Sequence, residues 1–283
     1  MCKYDKLNFH HSPSEGEFDW GNNRSEIFER FYDAVELLDK DVAESEFIMI
    51  IEDDPEFIDA YNSLGWIAVE EFNYGIALYY FQKALKIGTS LIPKGFKGEI
   101  DWGIIDNRPF LRAIEGVGLS YLSINRFEQA LKYFEKTLEY NSHDNQGMRA
   151  EAIHCYIALG EFKSILKINR LFPDDEMPDT MYGKVYALYH LQKIQEAEKA
   201  LVEALQFIPL VAKELSSQKH KPPLKDHSGF IAIGGQYEAY DYWRRLGQYW
   251  TNPQLKEFLK NGLMKITSGK KKWLTSRSGG RRF

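Results

Sequence analysis

The feature that most constrains this chain is a set of side chains that returns at a fixed interval. Ala43, Phe47, Ile50 and Pro55 are followed 34 positions later by Ala77, Phe81, Ala84 and Thr89. The set returns at Ala130, Phe134, Thr137 and Ser142, and again at Ala197, Leu201, Ala204 and Pro209. A period of this length, with small, aromatic, small and turn residues at constant offsets, describes a stack of helix pairs. Each pair buries its apolar face only against a neighbour, so the stack as a whole makes the core.

The upstream half of each unit sharpens the pattern. One unit reads Tyr61, Leu64, Gly65, Ala68, then Ala77, Phe81 and Ala84; the next reads Ile114, Val117, Gly118, Tyr121, then Ala130, Phe134 and Thr137. This resembles the tetratricopeptide repeat, whose first helix carries a W-x-x-L-G-x-x-Y pattern. Gly65 and Gly118 fall where packed helices, about 8–10 Å apart, approach most closely. Three looser units flank these. Ile27, Phe31 and Ala34 precede Ala43; Tyr156, Leu159, Gly160 and Phe162 lead to Ile165; and Met181, Val185 and Leu188 lead to Pro209. In the unit around Ile165 the small residue is lost and Asn169 takes the aromatic place. The expected architecture is an all-α, right-handed α-solenoid of about five tetratricopeptide-like helix pairs. The repeats occupy residues 25–209, after an N-terminal arm over 1–24 in which His10 and His11 read as mobile and solvated.

Beyond the last repeat, Tyr242, Trp243, Leu246 and Trp250 have near-helical spacing, and Pro253 opens another helix, so residues 210–263 read as capping helices. Residues 264–283 read as a basic disordered tail, because residues 261–283 hold seven basic groups and no acidic one. Residues 15–56 hold 15 Asp or Glu against 3 Lys or Arg. The opposite charges suggest an intramolecular contact in which Lys270–Arg282 folds onto the acidic face. An insertion breaks the period: Ala77 to Ala130 spans 53 positions, and the extra stretch covers residues 89–109. With Ile92, Phe96, Ile100, Trp102 and Ile104 it can bury itself, either as a plug over a seam or as a contact loop bearing Trp102, Asn107 and Arg108. From Trp102-Gly103 through Asn107-Arg108-Pro109-Phe110, and on to Glu238-Ala239, Tyr242 and Trp250, residues of about 90–260 resemble the suppressor-of-tumorigenicity-7 family and a soluble bacterial subset of repeat proteins. That resemblance implies architecture and no settled activity.

A tetratricopeptide array implies a groove lined by its first helices. Repeat register puts Tyr32, Asn62, Trp66, Glu70, Arg112, Glu115, His154, Tyr182, Tyr186 and Tyr189 there. Family members that grip a terminal carboxylate use Lys, Arg and Asn at these places, whereas this chain has Phe28 and Tyr32 in the first unit and Asp179 and Gly183 in the last. Acidic and aromatic groups favour a cationic or mixed apolar protein or peptide. The implied function is a cytoplasmic protein–protein interaction module; a scaffold or regulatory subunit of an enzyme complex is the alternative, and a hydrolase the remote one. No motif for catalysis, cofactor or metal occurs: seven histidines are scattered, and none stands in H-E-x-x-H or at metal spacing with Cys2 or Cys155. The acidic body disfavours nucleic acid, and no run of 18 apolar residues suggests a membrane span.

Overall fold

A computed structural model describes residues 4–223 and 234–278, with side chains as far as Ile266. Among the described residues, thirteen α-helices follow a short hairpin. The helices are α1 (Ser25–Val35), α2 (Lys40–Asp53), α3 (Ile58–Glu70), α4 (Tyr74–Leu91), α5 (Arg108–Ser123), α6 (Phe127–Tyr140), α7 (Met148–Leu159), α8 (Phe162–Leu171), α9 (Pro178–His190), α10 (Ile194–Phe207), α11 (Pro209–Ser216), α12 (Gln236–Leu246) and α13 (Pro253–Ser278). α1 to α10 succeed one another as five pairs joined by short turns, the helical hairpin arrangement of an all-α solenoid. Two compact units divide the chain, residues 1–155 and 156–283, the division falling inside α7.

In the first unit the packing follows the small residues. A Cβ placed on Gly65 would stand 2.7 Å from the Phe81 ring, and one on Gly116 would stand 2.3 Å from the same ring. Phe81, on α4, is therefore wedged between α3 and α5 at two points where only hydrogen fits. Gly118 faces Phe134 at 2.5 Å, and Gly88 faces Phe110 at 2.3 Å. All three rings are buried and cannot swing aside. The expected crossings at Gly65 and Gly118 are thus where the period puts them; Gly116 and Gly88 are further close approaches that the repeat pattern leaves unmarked.

The start of the chain is not a mobile arm. Two strands, β1 (Asn8–His11) and β2 (Gly16–Asp19), pair antiparallel with Phe9 opposite Phe18. Leu7, Phe18 and Trp20 are buried in the same core as α1 to α3. His10 bonds Asp19 across the hairpin at 3.0 Å. The alternation of Leu7 and Phe9, then Phe18 and Trp20, about Ser12-Pro13-Ser14-Glu15-Gly16 is the sequence signal for this hairpin. The Arg24 guanidinium, buried, anchors it: Nε donates to Asp54 Oδ2 at 2.6 Å and Nη1 donates to the Trp20 carbonyl.

The 89–109 insertion is a packed plug. α4 takes its first residues; then Ile100 is buried, with its N–H donating to the Tyr140 carbonyl at 2.7 Å. Glu99 joins the hairpin through backbone bonds, Gly16 N to Glu99 O and Glu99 N to Ser14 O, each 2.8 Å. Asn107, expected as a contact residue, is instead an internal staple. Its Oδ1 accepts from Phe18 N at 3.0 Å and its Nδ2 donates to the Gly16 and Asp101 carbonyls.

In the second unit α8 is short, and Asn169, standing where other pairs have an aromatic ring, donates to the Thr180 carbonyl at the start of α9 at 2.9 Å. The C-terminal helices cap this unit. Tyr242 and Leu246 of α12, Trp250 of the following 3-10 turn, and Leu255 and Leu259 of α13 are all buried. Arg245 grips the buried Asp179 of α9 with two bonds, 3.0 and 2.8 Å, and Asp241 with a third at 2.9 Å. A disordered tail is expected from residue 264, yet α13 continues to Ser278. A helix already docked extends at little cost through good helix formers such as lysine. The basic groups from Lys270 to Arg282 lie outside the residues whose side chains are described, so the expected contact of that stretch with the acidic face lies outside them too.

Gly118→Leu is expected to lower stability by ~1–3 kcal/mol, because the new side chain overlaps Phe134; chemical denaturation measures it, and a neutral result overturns the crossing. Arg245→Ala is expected to cost on the order of 2–3 kcal/mol by leaving the buried Asp179 carboxylate without its fork. An unchanged denaturation midpoint would remove Asp179–Arg245 from the forces holding the cap.

Candidate partner-binding face

The first helices of unit 1 bring several of the expected residues together. Asp59, in the first turn of α3, accepts from Arg112 Nη1 of α5 at 2.9 Å and from Asn62 Nδ2 at 3.0 Å. Asn62 Nδ2 also donates to the Pro109 carbonyl at 2.8 Å, and the residue is 2% exposed. Asn62, expected in the groove, is therefore a buried brace between α3 and α5. Its short amide reaches the neighbouring backbone rather than solvent.

Trp102 of the insertion carries two guanidinium groups over its ring, Arg108 at 5.3 Å and Arg112 at 5.7 Å from the ring centre. Arg108 Nε also donates to the Trp102 carbonyl at 3.0 Å. Both arginines thus have their charge satisfied locally, Arg112 by Asp59 and both by the indole face. Next along α5, Glu115 accepts from Gln146 Nε2 at 2.5 Å. Asp144 caps the start of α7, accepting from Met148 N at 2.6 Å, Arg149 N at 3.0 Å and Arg149 Nη1 at 2.8 Å.

Burial sets the electrostatics of this face. It raises the Asp59 carboxyl above its ordinary range, against the opposing pull of Arg112 and Asn62. It raises Glu115 as well, with Asp144 adding to the effect and Gln146 and Arg112 opposing. Asp144 is raised by the same cause, against the bonds from Arg149. Other residues expected in the groove are more open or pack elsewhere. Tyr32 is exposed and stacks on Phe28, Trp66 meets Phe81 edge-on at 5.2 Å, and Glu70 is exposed and ion-paired with Lys40. His154 lies 5.9 Å from the Phe127 ring.

The tyrosines of α9 belong to the second unit and do not line an open face. Tyr182 is fully buried; its hydroxyl donates to the Ile208 carbonyl at 2.9 Å and accepts from Ala212 N at 3.2 Å. Tyr186 is buried 5.1 Å from Trp250, and burial pushes its phenol up to about 12. Tyr189 packs 5.2 Å from Phe258 of α13. The capping helices occupy what the repeat register marks as groove, because the last pair must cover its apolar face.

Residues 111–144, from the body of α5 to the cap of α7, match the sequence model of the tetratricopeptide repeat. Comparison with curated protein sequences yields no match. Among solved structures, the C-terminal part of a TPR repeat-containing protein from Cytophaga hutchinsonii is similar at 12% identity, over 87% of this chain and 79% of its own, with a TM-score of 0.49. PilF of Pseudomonas aeruginosa is similar at 17% identity, over 65% of this chain and 77% of its own, at 0.47. YrrB, described as a TPR protein with an unusual peptide-binding site, is similar at 17% identity, over 65% and 80%, at 0.45. At these scores the likenesses carry no argument about this chain.

Among the described residues, no group of three or more His, Cys, Asp or Glu could hold a metal ion, and no helix is long and apolar enough to cross a membrane. Cys155 is buried and its thiol is pushed up to about 12, which leaves it a poor nucleophile.

A raised carboxyl favours the neutral form in the folded chain. Asp59, Glu115 and Asp144 therefore contribute stability that is present below the ordinary carboxylate range and lost as pH rises through their folded values. The double variant Asp59→Asn/Glu115→Gln is expected to show a smaller fall in Tm between about pH 4 and about pH 7. An unaltered pH slope by calorimetry would exclude burial of these carboxylates as its source.

Proposed function

We propose that this chain is a non-catalytic, cytoplasmic interaction module whose first-helix face in unit 1 holds a peptide or partner helix of cationic or mixed apolar character. The single observation that carries this reading is that Arg112 and Asn62, the groups best suited to seize a carboxylate, are engaged internally with Asp59 and the Pro109 carbonyl. What the face offers instead is aromatic and acidic: the exposed ring of Tyr32, the half-buried ring of Trp66, the carboxylate of Glu70, which is exposed beside Lys40, and that of Glu115, which is held by Gln146. Rings with carboxylates beside them attract Lys, Arg and apolar side chains through cation–π contact and charge complementarity. Trp102 supports the face from below by fixing Arg108 and Arg112. The resemblance of residues 90–260 to the suppressor-of-tumorigenicity-7 family adds no activity to this reading.

Co-purification with mass spectrometry, run beside the double variant Tyr32→Ala/Glu115→Lys, tests it. Partners bearing Lys- or Arg-rich apolar segments are expected on the wild-type chain, with affinity at least about tenfold lower for the variant, or about 1.4 kcal/mol. Equal capture by the variant, or enrichment of partners bound through a terminal carboxylate, overturns the proposal.

A further inference from the structure

Two turns of unit 1 carry apolar side chains for which the fold has no use. At the α1–α2 turn Val35, Leu37 and Leu38 are exposed, Leu38 completely, and Val42 follows on α2. At the α3–α4 turn Phe72 is 78% exposed, and Ile76 and Tyr79 follow on α4. Leu38 and Phe72 stand 34 positions apart, as do Val42 and Ile76, so they are equivalent places in successive helix pairs. The Lys40–Glu70 ion pair ties the first turn to the end of α3. α2 is apolar on both sides, burying Ala43, Phe47 and Ile50 while exposing Val42, Ile48 and Met49. A helix of that composition is ordinarily covered on both sides.

Phe72 is the most telling of these residues. Its backbone lies at φ 58°, in the left-handed region. The turns of later helix pairs fill that region with Asn125, Gly160 and Gln192. A bulky aromatic residue is disfavoured there, and this ring gains no burial in return. Neither the backbone nor the core explains it.

The surroundings of these turns specify what would cover them. Residues 31–82 contain thirteen acidic groups and one basic group, Lys40, which pairs with Glu70; Arg30, just before them, pairs with Asp53 and Glu46, and the remaining carboxylates still outnumber the cations. Exposed apolar patches rimmed by polar groups mark contact surfaces. An acidic rim repels an anionic lipid surface, and a second copy presenting the same turns would set carboxylate against carboxylate. We propose that the edge formed by Leu38, Val42, Phe72 and Ile76 is a second docking surface, separate from the first-helix face, for an amphipathic segment whose apolar side chains are flanked by Lys or Arg.

The test uses the full chain and a fluorescein-labelled, 18-residue amphipathic Leu–Lys peptide, followed by anisotropy. Saturable binding that weakens with salt is expected from the wild-type chain. Leu38→Asn/Phe72→Asn is expected to lower affinity at least tenfold while leaving Tm unchanged or raised, since Asn tolerates the left-handed region. The same loss is expected when Leu38→Asn/Phe72→Asn is added to the Tyr32→Ala/Glu115→Lys chain, whose first-helix face is already disabled, so failure of that face and failure of this edge are read separately. No saturable binding by the wild-type chain, equal affinity for Leu38→Asn/Phe72→Asn in either background, or equal binding of a Leu–Glu peptide each overturns the proposal.

Discussion

One ring between two glycines holds the centre of unit 1. Phe81 projects from α4 into space that Gly65 of α3 and Gly116 of α5 leave open, so one side chain fixes the spacing of three helices. The gain is dispersion and apolar burial over nearly the whole ring, and it depends on both backbones staying free of a Cβ. Everything else on the first-helix face inherits this spacing. The Asp59–Arg112 bond at 2.9 Å and the reach of Asn62 to the Pro109 carbonyl both need α3 and α5 at this separation.

The fold was legible in the sequence where a residue type answers to a single geometric demand. Gly65, Gly118, Phe81 and Phe134 recur because close crossings admit few alternatives, and the period follows from them. The hairpin was less legible, since its strands are four residues each and their alternation competes with polar neighbours. The site was legible in register and much less so in exposure. Repeat spacing says which way a helix face points. It does not say that Asn62 bends onto a carbonyl, that Asn107 disappears into the hairpin, or that α12 and Trp250 settle over Tyr182 and Tyr186. Those outcomes depend on segments outside the period, whose positions no repeat can announce.

The two units also differ in how they use charge. In unit 1 the buried arginine, Arg24, joins Asp54 beneath the hairpin, while around α2 carboxylates outnumber the two cations, Arg30 and Lys40, that pair with them. In unit 2 the corresponding role falls to Arg245, which draws Asp179 and Asp241 together and brings α12 onto α9. Each pair works by geometry more than by attraction, because a desolvated ion pair gains little net energy while a misplaced one is costly. They act as locks on where the non-repeating segments dock.

The staple at Asn107 has a kinetic side. Helix pairs assemble from neighbours a few turns apart, the kind of contact that chains find rapidly. Asn107 and Phe18 are 89 positions apart, and their bond forms only when the hairpin and the insertion meet across the four intervening helices, α1 to α4. Unit 1, whose pairs can nucleate independently, thus contains a long-range closure, and loop-closure entropy weighs against forming it before the intervening pairs are in place.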